Sequence, residues 1–223
     1  MSSIRRRLDW DLLNVIRGAI TLVLDPQQTQ SVYDVEDGLR HHRATALAVE
    51  FVKQHSEVAA IFADRYLAKS PDLAALAQLP AGSLGNLYAV YLDESGFDAN
   101  FYRLITVEDD ASYFLMRMRQ THDIWHLVAG FGTDVPGELG LKAFELAQTR
   151  RPLSAVLLSG GVLSAVFKAP ESIGALLEQI AIGYRLGATA EPFLAQRWED
   201  HWDRPLDDWR RQLNFQPMTH YQP

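Results

Sequence analysis

The sequence predicts an all-α protein, a single-domain helical bundle covering residues 1–223. Apolar residues recur at three- and four-residue steps over most of the chain, the spacing that lines one face of a helix. Proline and glycine stand where such stretches would start and stop. No pair of alternating runs is joined by a hairpin dipeptide, no repeat is found, and no linker is long enough to divide domains.

The elements follow in order. Leu12, Leu13, Ile16, Ile20 and Leu24 mark a helix between Trp10 and Leu24, stopped by Asp25-Pro26 because the residue before proline is driven out of the α region. Further helical stretches run from about Ala44 to Lys53 and from Ser56 to Ala68. Ser70-Pro71-Asp72 starts a short helix with Pro71 in its first turn. Leu79–Ser83 is a turn, Leu84 opens the next helix, and Glu94-Ser95-Gly96 breaks it. A long helix, or two abutting ones, spans about Asp109 to Gly130. After a loop to Asp134, Pro136 opens a helix that closes at Arg150-Arg151-Pro152. Residues 152–167 are uncharged around Gly160-Gly161, and Pro170-Glu171-Ser172 starts a helix towards Gly187. Trp198, Trp202 and Trp209 recur at four and seven residues, which reads as one helical stripe for the core or an oligomer contact, with a membrane-facing stripe as the lesser reading.

Composition removes whole classes of function. With 48% hydrophobic and 22% charged residues the chain is globular and not disordered. It has no cysteine, which excludes disulfides, thiolate nucleophiles and cysteine-ligated metals. A net charge of −7 argues against a nucleic-acid partner, since no excess of cations exists to neutralise phosphates. No uncharged run reaches the roughly 18 residues of a spanning helix. Arg5-Arg6-Arg7 reads as a basic flank, because Asp9 and Asp11 and the lack of an apolar run fit neither a signal nor a transit peptide.

Several motifs fail on inspection. Gly130-Phe131-Gly132 lacks the third glycine and the preceding strand of a dinucleotide loop. Gly132 to Gly137 has phosphate-loop spacing, but Glu138 stands where lysine is required. Ala81–Gly85 has its serine out of register for a nucleophile elbow. What survives is His122-Asp123-Ile124-Trp125-His126 with Glu138. His122 and His126 are one helical turn apart, and Gly130, Gly132 and Pro136 reverse the chain before Glu138. Two imidazoles and a carboxylate from another element are the donors of a three-ligand metal site with an open position. Chance spacing and an exposed Glu138–Lys142 pair are the plainer alternative. Asp123, about 100° further round the helix, is open as ligand, as partner to a ligand, or as general base.

The run Arg117-Met118-Arg119-Gln120-Thr121-His122-Asp123-Ile124-Trp125-His126, eleven residues and Glu138 resembles the His-Asp-x-x-His-x11-Glu signature of the coenzyme Q biosynthesis protein 4 family. Asp25-Pro26, Leu79–Gly85 leading to Tyr88, Gly187-Ala188 through Pro192-Phe193, Trp198-Glu199 and Pro205-Leu206 agree with it. The resemblance implies an all-helical protein holding a divalent metal, described in the family as zinc, through His122, Asp123, His126 and Glu138. Iron, manganese and cobalt stay open. It also implies a part in ubiquinone biosynthesis, at the oxidative replacement of the ring carboxyl of a polyprenylated 4-hydroxybenzoate by hydroxyl. The alternative it carries is a lipid-binding scaffold that organises the other ubiquinone enzymes. The partners so implied are the prenylated precursor, those enzymes, a second copy as a homodimer, and the membrane surface. With no transit peptide read in the sequence, a bacterial-type member is expected, cytoplasmic and peripheral to the inner membrane.

Two further sets of residues are candidates. Arg119 lies three residues before His122 and seven before His126, so on a continuous helix it shares their face and could hold a substrate carboxylate. Its other reading is a structural arginine. Asp123 and Arg119 are thus the expected catalytic pair. Gly160 and Gly161 would leave a trough for a prenyl tail in an apolar helix, against the plainer reading of a buried packing helix.

Overall fold

A computed structural model describes residues 29–217 of the 223. The expected helix at Trp10–Leu24, its stop at Asp25-Pro26 and the Arg5–Arg7 flank lie outside them. Ten α-helices are found among the described residues: α1 (Thr29–Leu39), α2 (Arg43–Val52), α3 (Ser56–Asp64), α4 (Leu73–Ala77), α5 (Leu84–Ser95), α6 (Asp110–Ala129), α7 (Val135–Thr149), α8 (Pro152–Lys168), α9 (Ile173–Thr189) and α10 (Leu206–Gln212). Extended pairing among these residues is limited to an isolated antiparallel bridge between Ser83 and Pro205. The all-α class is therefore observed.

The described chain gathers into two compact units. One holds 29–51 and Asp134–Ala188. The other holds Val52–Thr133 and 189–217.

The second of these is organised around α6. Asp109 and Ser112 form a capping box at its start: the Asp109 carboxylate accepts from the Ser112 N–H at 2.7 Å and the Ser112 hydroxyl accepts from the Asp109 N–H at 2.9 Å. At its end Gly130 takes φ +76°, and its N–H donates to the His126 carbonyl at 2.8 Å. Arg210 donates to the Val128 and Leu127 carbonyls at 3.0 and 3.2 Å, a cation placed where the helix dipole favours one. Trp125, Phe193, Trp198, Trp209 and Phe215 form one aromatic cluster, with ring centroids 4.7–5.6 Å apart.

The tryptophan stripe is corrected. Trp198 lies in a 3-10 turn (Trp198–Asp200), Trp202 in a turn and Trp209 in α10. His201 leaves the helical region at φ −140° and Pro205 has no N–H to continue a helix, so the four- and seven-residue spacing has no helix to act on. Trp198 and Trp209 are nonetheless buried core, which removes the membrane-facing reading for them. Two boundaries also move. The helix expected to reach Ala68 stops at Asp64 because Arg65 adopts the left-handed conformation and Tyr66 N–H bonds back to the Ile61 carbonyl. Asp72, not Ser70, caps the next helix, its side chain accepting from Ala75 N–H at 3.1 Å, and Pro71 precedes the helix.

In the other unit α1 is an element the sequence reading did not anticipate. Its Val35 and Leu39 pack on Leu153 of α8. Beside them is a buried set of four charges. Arg151 bonds to Glu36 of α1 and to Glu145 of α7, and Lys142 donates to Glu145 at 2.8 Å. Ser154 donates to the same carboxylate at 2.9 Å. Burial works to lower the pKa of Arg151, but Glu36 and Glu145 outweigh it and hold the guanidinium above its ordinary value.

Glycines set the helix spacing in this unit. A Cβ on Gly183 of α9 would lie 1.9 Å from the Gly140 carbonyl oxygen of α7, and one on Gly187 would lie 2.5 Å from that of Phe144. Side chains are excluded there because backbone meets backbone. At Gly161 a Cβ would fall 2.4 Å from Leu139 Cδ1. Leu139 thus fills the trough expected for a prenyl tail, and the glycine serves the packing of α7 on α8. Gly160 is buried in the same helix. The open groove is corrected on this ground.

Candidate metal centre

His122 and His126 sit on the last two turns of α6, where the helix is continuous from cap to cap. Their ring centroids are 4.7 Å apart at an interplanar angle of 76°, and a ring nitrogen of each lies within 4.8 Å of one on the other. His122 is half-buried and His126 is buried. The two rings differ in support. His126 Nδ1 lies 3.0 Å from the Phe131 carbonyl oxygen, which the left-handed turn at Gly130 swings back over the helix end. A carbonyl accepts only, so Nδ1 is the protonated nitrogen and Nε2 carries the lone pair. A tautomer fixed by tying the non-ligating nitrogen to a carbonyl is the arrangement that orients a metal-ligating histidine. Tyr91 stacks on the His126 ring at 6.4 Å and 26°, and Phe97 meets Tyr91 edge-on at 6.5 Å.

Glu138 lies in the first turn of α7. Asp134 caps this helix, its carboxylate accepting from Gly137 N–H at 3.1 Å and its carbonyl from Glu138 N–H at 2.8 Å. Pro136 occupies the first turn as its fixed φ favours. Glu138 is half-buried, and a carboxylate at a helix N-terminus is stabilised in its charged form, the form a cation needs.

Asp123 is half-buried on the neighbouring face of α6. On that side Tyr88, Tyr102, Gln120, Ile124, Glu199 and Trp202 line a small cavity. Burial pushes the Tyr88 phenol well above its ordinary pKa, and the negative charge of Asp123 adds to the rise. Tyr102 is raised by burial, with the charges of Glu199 and then Asp123 adding to it, against a Gln120 hydrogen bond and the Arg117 charge that lower it. Both phenols therefore stay protonated at neutral pH.

Arg119, the residue expected to hold a substrate carboxylate, makes a contact to the backbone of the chain. It is only 6% exposed, and its Nη1 donates to the Arg103 carbonyl at 2.7 Å. A buried residue the sequence gives no role is Arg117, held by both oxygens of Glu199 at 2.6 and 2.9 Å. It also donates to the Gln196 carbonyl and to Gln120 Oε1. An arginine with this much buried company stiffens the helix that carries the histidines. Its position in the signature run, five residues before His122, was the available signal.

Comparison with known proteins adds lineage to this geometry. The family model described as "Coenzyme Q (ubiquinone) biosynthesis protein Coq4" matches residues 11–219. The mitochondrial ubiquinone biosynthesis protein coq4 of Talaromyces stipitatus is 31% identical over 143 residues, 63% of this chain and 49% of that protein. The corresponding protein of Yarrowia lipolytica is 30% identical, covering 68% of this chain and 58% of its own. The chain thus spans about half the length of these relatives. A crystal structure from Nostoc punctiforme, described provisionally as a ubiquinone biosynthesis protein, superposes with a TM-score of 0.84 at 40% identity. It covers 92% of this chain and 96% of that one.

Proposed function

Because the chain belongs to the coenzyme Q (ubiquinone) biosynthesis protein Coq4 family, we propose that it serves ubiquinone biosynthesis as a metal-dependent protein acting on a prenylated aromatic acid. The observation that carries the metal reading is the His122–His126 pair, one ring fixed by the Phe131 carbonyl so that its outer nitrogen presents a lone pair. His122, His126 and Glu138 are the proposed ligands. Neutral imidazoles and a carboxylate suit zinc and equally other divalent first-row cations. The five residues Gly130–Asp134 that join α6 to α7 support the third ligand, since they allow little separation along the chain.

The proposed reaction exchanges the C1 carboxyl of a polyprenylated 4-hydroxybenzoate for hydroxyl. In balance, the acid, one dioxygen and one water give the phenol, carbon dioxide and hydrogen peroxide, with dioxygen accepting the two electrons the ring loses. When bound, the cation supplies Lewis acidity towards a phenolate or carboxylate oxygen. Asp123 is the proposed base for the phenol proton, half-buried next to His122 on α6, with its charge felt by the Tyr88 and Tyr102 phenols. No helix among the described residues is long and apolar enough to cross a membrane. A water-insoluble prenyl substrate is therefore met at a membrane surface, with the other ubiquinone enzymes as partners.

The test separates catalysis from scaffolding. Purified wild-type protein is expected to carry about one divalent ion per chain by elemental analysis, and His126→Ala to lose it. Equal occupancy in the two would end the metal proposal. In Asp123→Asn the ion is expected to stay while ubiquinone formation in complemented cells falls by about tenfold to a thousandfold, the range a general base supplies. Normal ubiquinone with Asp123→Asn would favour the scaffold.

A further inference from the structure

The chain between α5 and α6 has no regular secondary structure, yet it is not slack. The Asp98 carboxylate accepts from Asn100 N–H at 2.8 Å, and Phe101 N–H donates to the Asp98 carbonyl at 3.0 Å, closing a turn. Ala99 is buried. Tyr102 is hydrogen-bonded to Gln120, and the Arg103 carbonyl is held by the buried Arg119 guanidinium. Ala99 and the Arg103 carbonyl thus face the protein, while Asp98 and Asn100 are exposed at the turn. The large apolar side chains of the segment are exposed as well: Phe97 is 47% exposed, Phe101 59% and Leu104 76%. A loop of this length with fixed backbone and outward apolar side chains is a displayed surface, not a fraying connection.

We propose that residues 97–104 are a lipid-surface contact, in which Phe97, Phe101 and Leu104 enter the interfacial layer of a bilayer while Arg119 and Gln120 hold the backbone behind them. This rests on the reading that the chain meets its substrate at a membrane. Arg119 is then a positioning residue for the contact. The area decides the occupant: three side chains offer roughly 300 Å², about half of the roughly 600 Å² per partner at which specific protein–protein interfaces begin. A bilayer requires no such area, because each apolar side chain transfers independently. Charge decides the lipid. The chain carries −7, and the segment between α5 and α6 has Asp98, Glu108 and Asp109 against Arg103, so attraction to anionic headgroups is not the driving force. Binding to zwitterionic vesicles is expected, and it should be insensitive to salt.

The absence of cysteine makes the test simple. Leu104→Cys, labelled with an environment-sensitive nitrobenzoxadiazole, is mixed with phosphatidylcholine vesicles, and sedimentation of the whole protein with the vesicles is measured alongside. The expected result is a severalfold, blue-shifted rise in emission that saturates with lipid, equal at low and high salt. The same label on Gln78→Cys, exposed in the same unit, should not respond. Phe101→Ser with Leu104→Ser should cut sedimentation by about tenfold without moving the thermal transition. Sedimentation with a silent label at position 104 would overturn the loop while leaving the membrane reading standing. Absence of sedimentation would remove both. A label at Phe167→Cys that responds while position 104 does not would move the contact to α8. A rise with protein concentration in the absence of lipid would mean self-association. Either of these overturns the proposal.

Discussion

Arg117→Met is expected to lower the unfolding free energy by about 3–5 kcal/mol. Arg117 is fully buried and Glu199 nearly so, and two short parallel hydrogen bonds join them. Removing the guanidinium leaves a carboxylate inside the protein with its neutralising charge gone. The penalty is the desolvation of Glu199, not the modest net value of the pair. The Gln196 carbonyl and Gln120 Oε1 also lose a donor. The double variant Arg117→Met with Glu199→Leu should recover a large part of the loss, because no isolated charge is then buried. Denaturant titrations of the three proteins check this. A double variant as unstable as the single one would place the cost in packing and not in the orphaned carboxylate. Loss of this pair should also loosen α6, so metal content is best measured below the transition.

Gly183→Ala is expected to cost about 3 kcal/mol or more, at the upper end for overpacking. The new methyl would sit 1.9 Å from the Gly140 carbonyl oxygen, and its neighbour is backbone that no rotamer change can move aside. The helices α7 and α9 must separate, or their axes rotate. Gly174 provides the contrast within the same helix. Nothing lies within 4 Å of a Cβ built there, so Gly174→Ala should be neutral or stabilising by up to about 1 kcal/mol. Thermal melts of the two variants should move in opposite directions or at least differ by several degrees.

The pair also shows what the sequence could and could not say. A glycine inside a helical run costs stability and so hints at a packing reason, which at Gly183 and Gly187 is close approach of backbone. The same signal at Gly174 had no counterpart, because a missing side chain does not say what fills the space. Gly161 marks the same limit: the trough is real, and Leu139 occupies it. Helix α6 was legible nearly to the residue because Asp109 and Gly130 cap it and its histidines repeat at one turn. Helix α3 was read too long because Arg65 enters the left-handed region with no glycine to announce it. Arg119 could be placed on the right face, but its partner is a loop carbonyl, and carbonyls leave no mark in a sequence. The tryptophan spacing misled because periodicity presumes a continuous helix, which Pro205 does not permit.

The aromatic cluster has an optical consequence. Of the five tryptophans, Trp125, Trp198, Trp202 and Trp209 all belong to the unit formed by Val52–Thr133 and 189–217, while the unit with 29–51 and Asp134–Ala188 has none. Trp10 lies outside the described residues. In a Trp10→Phe background, indole emission becomes a reporter for the histidine-bearing unit alone, whereas far-ultraviolet dichroism sums both. A denaturant curve followed by the two signals would then separate the melting of one unit from that of the other, and Gly183 variants should displace the dichroism first.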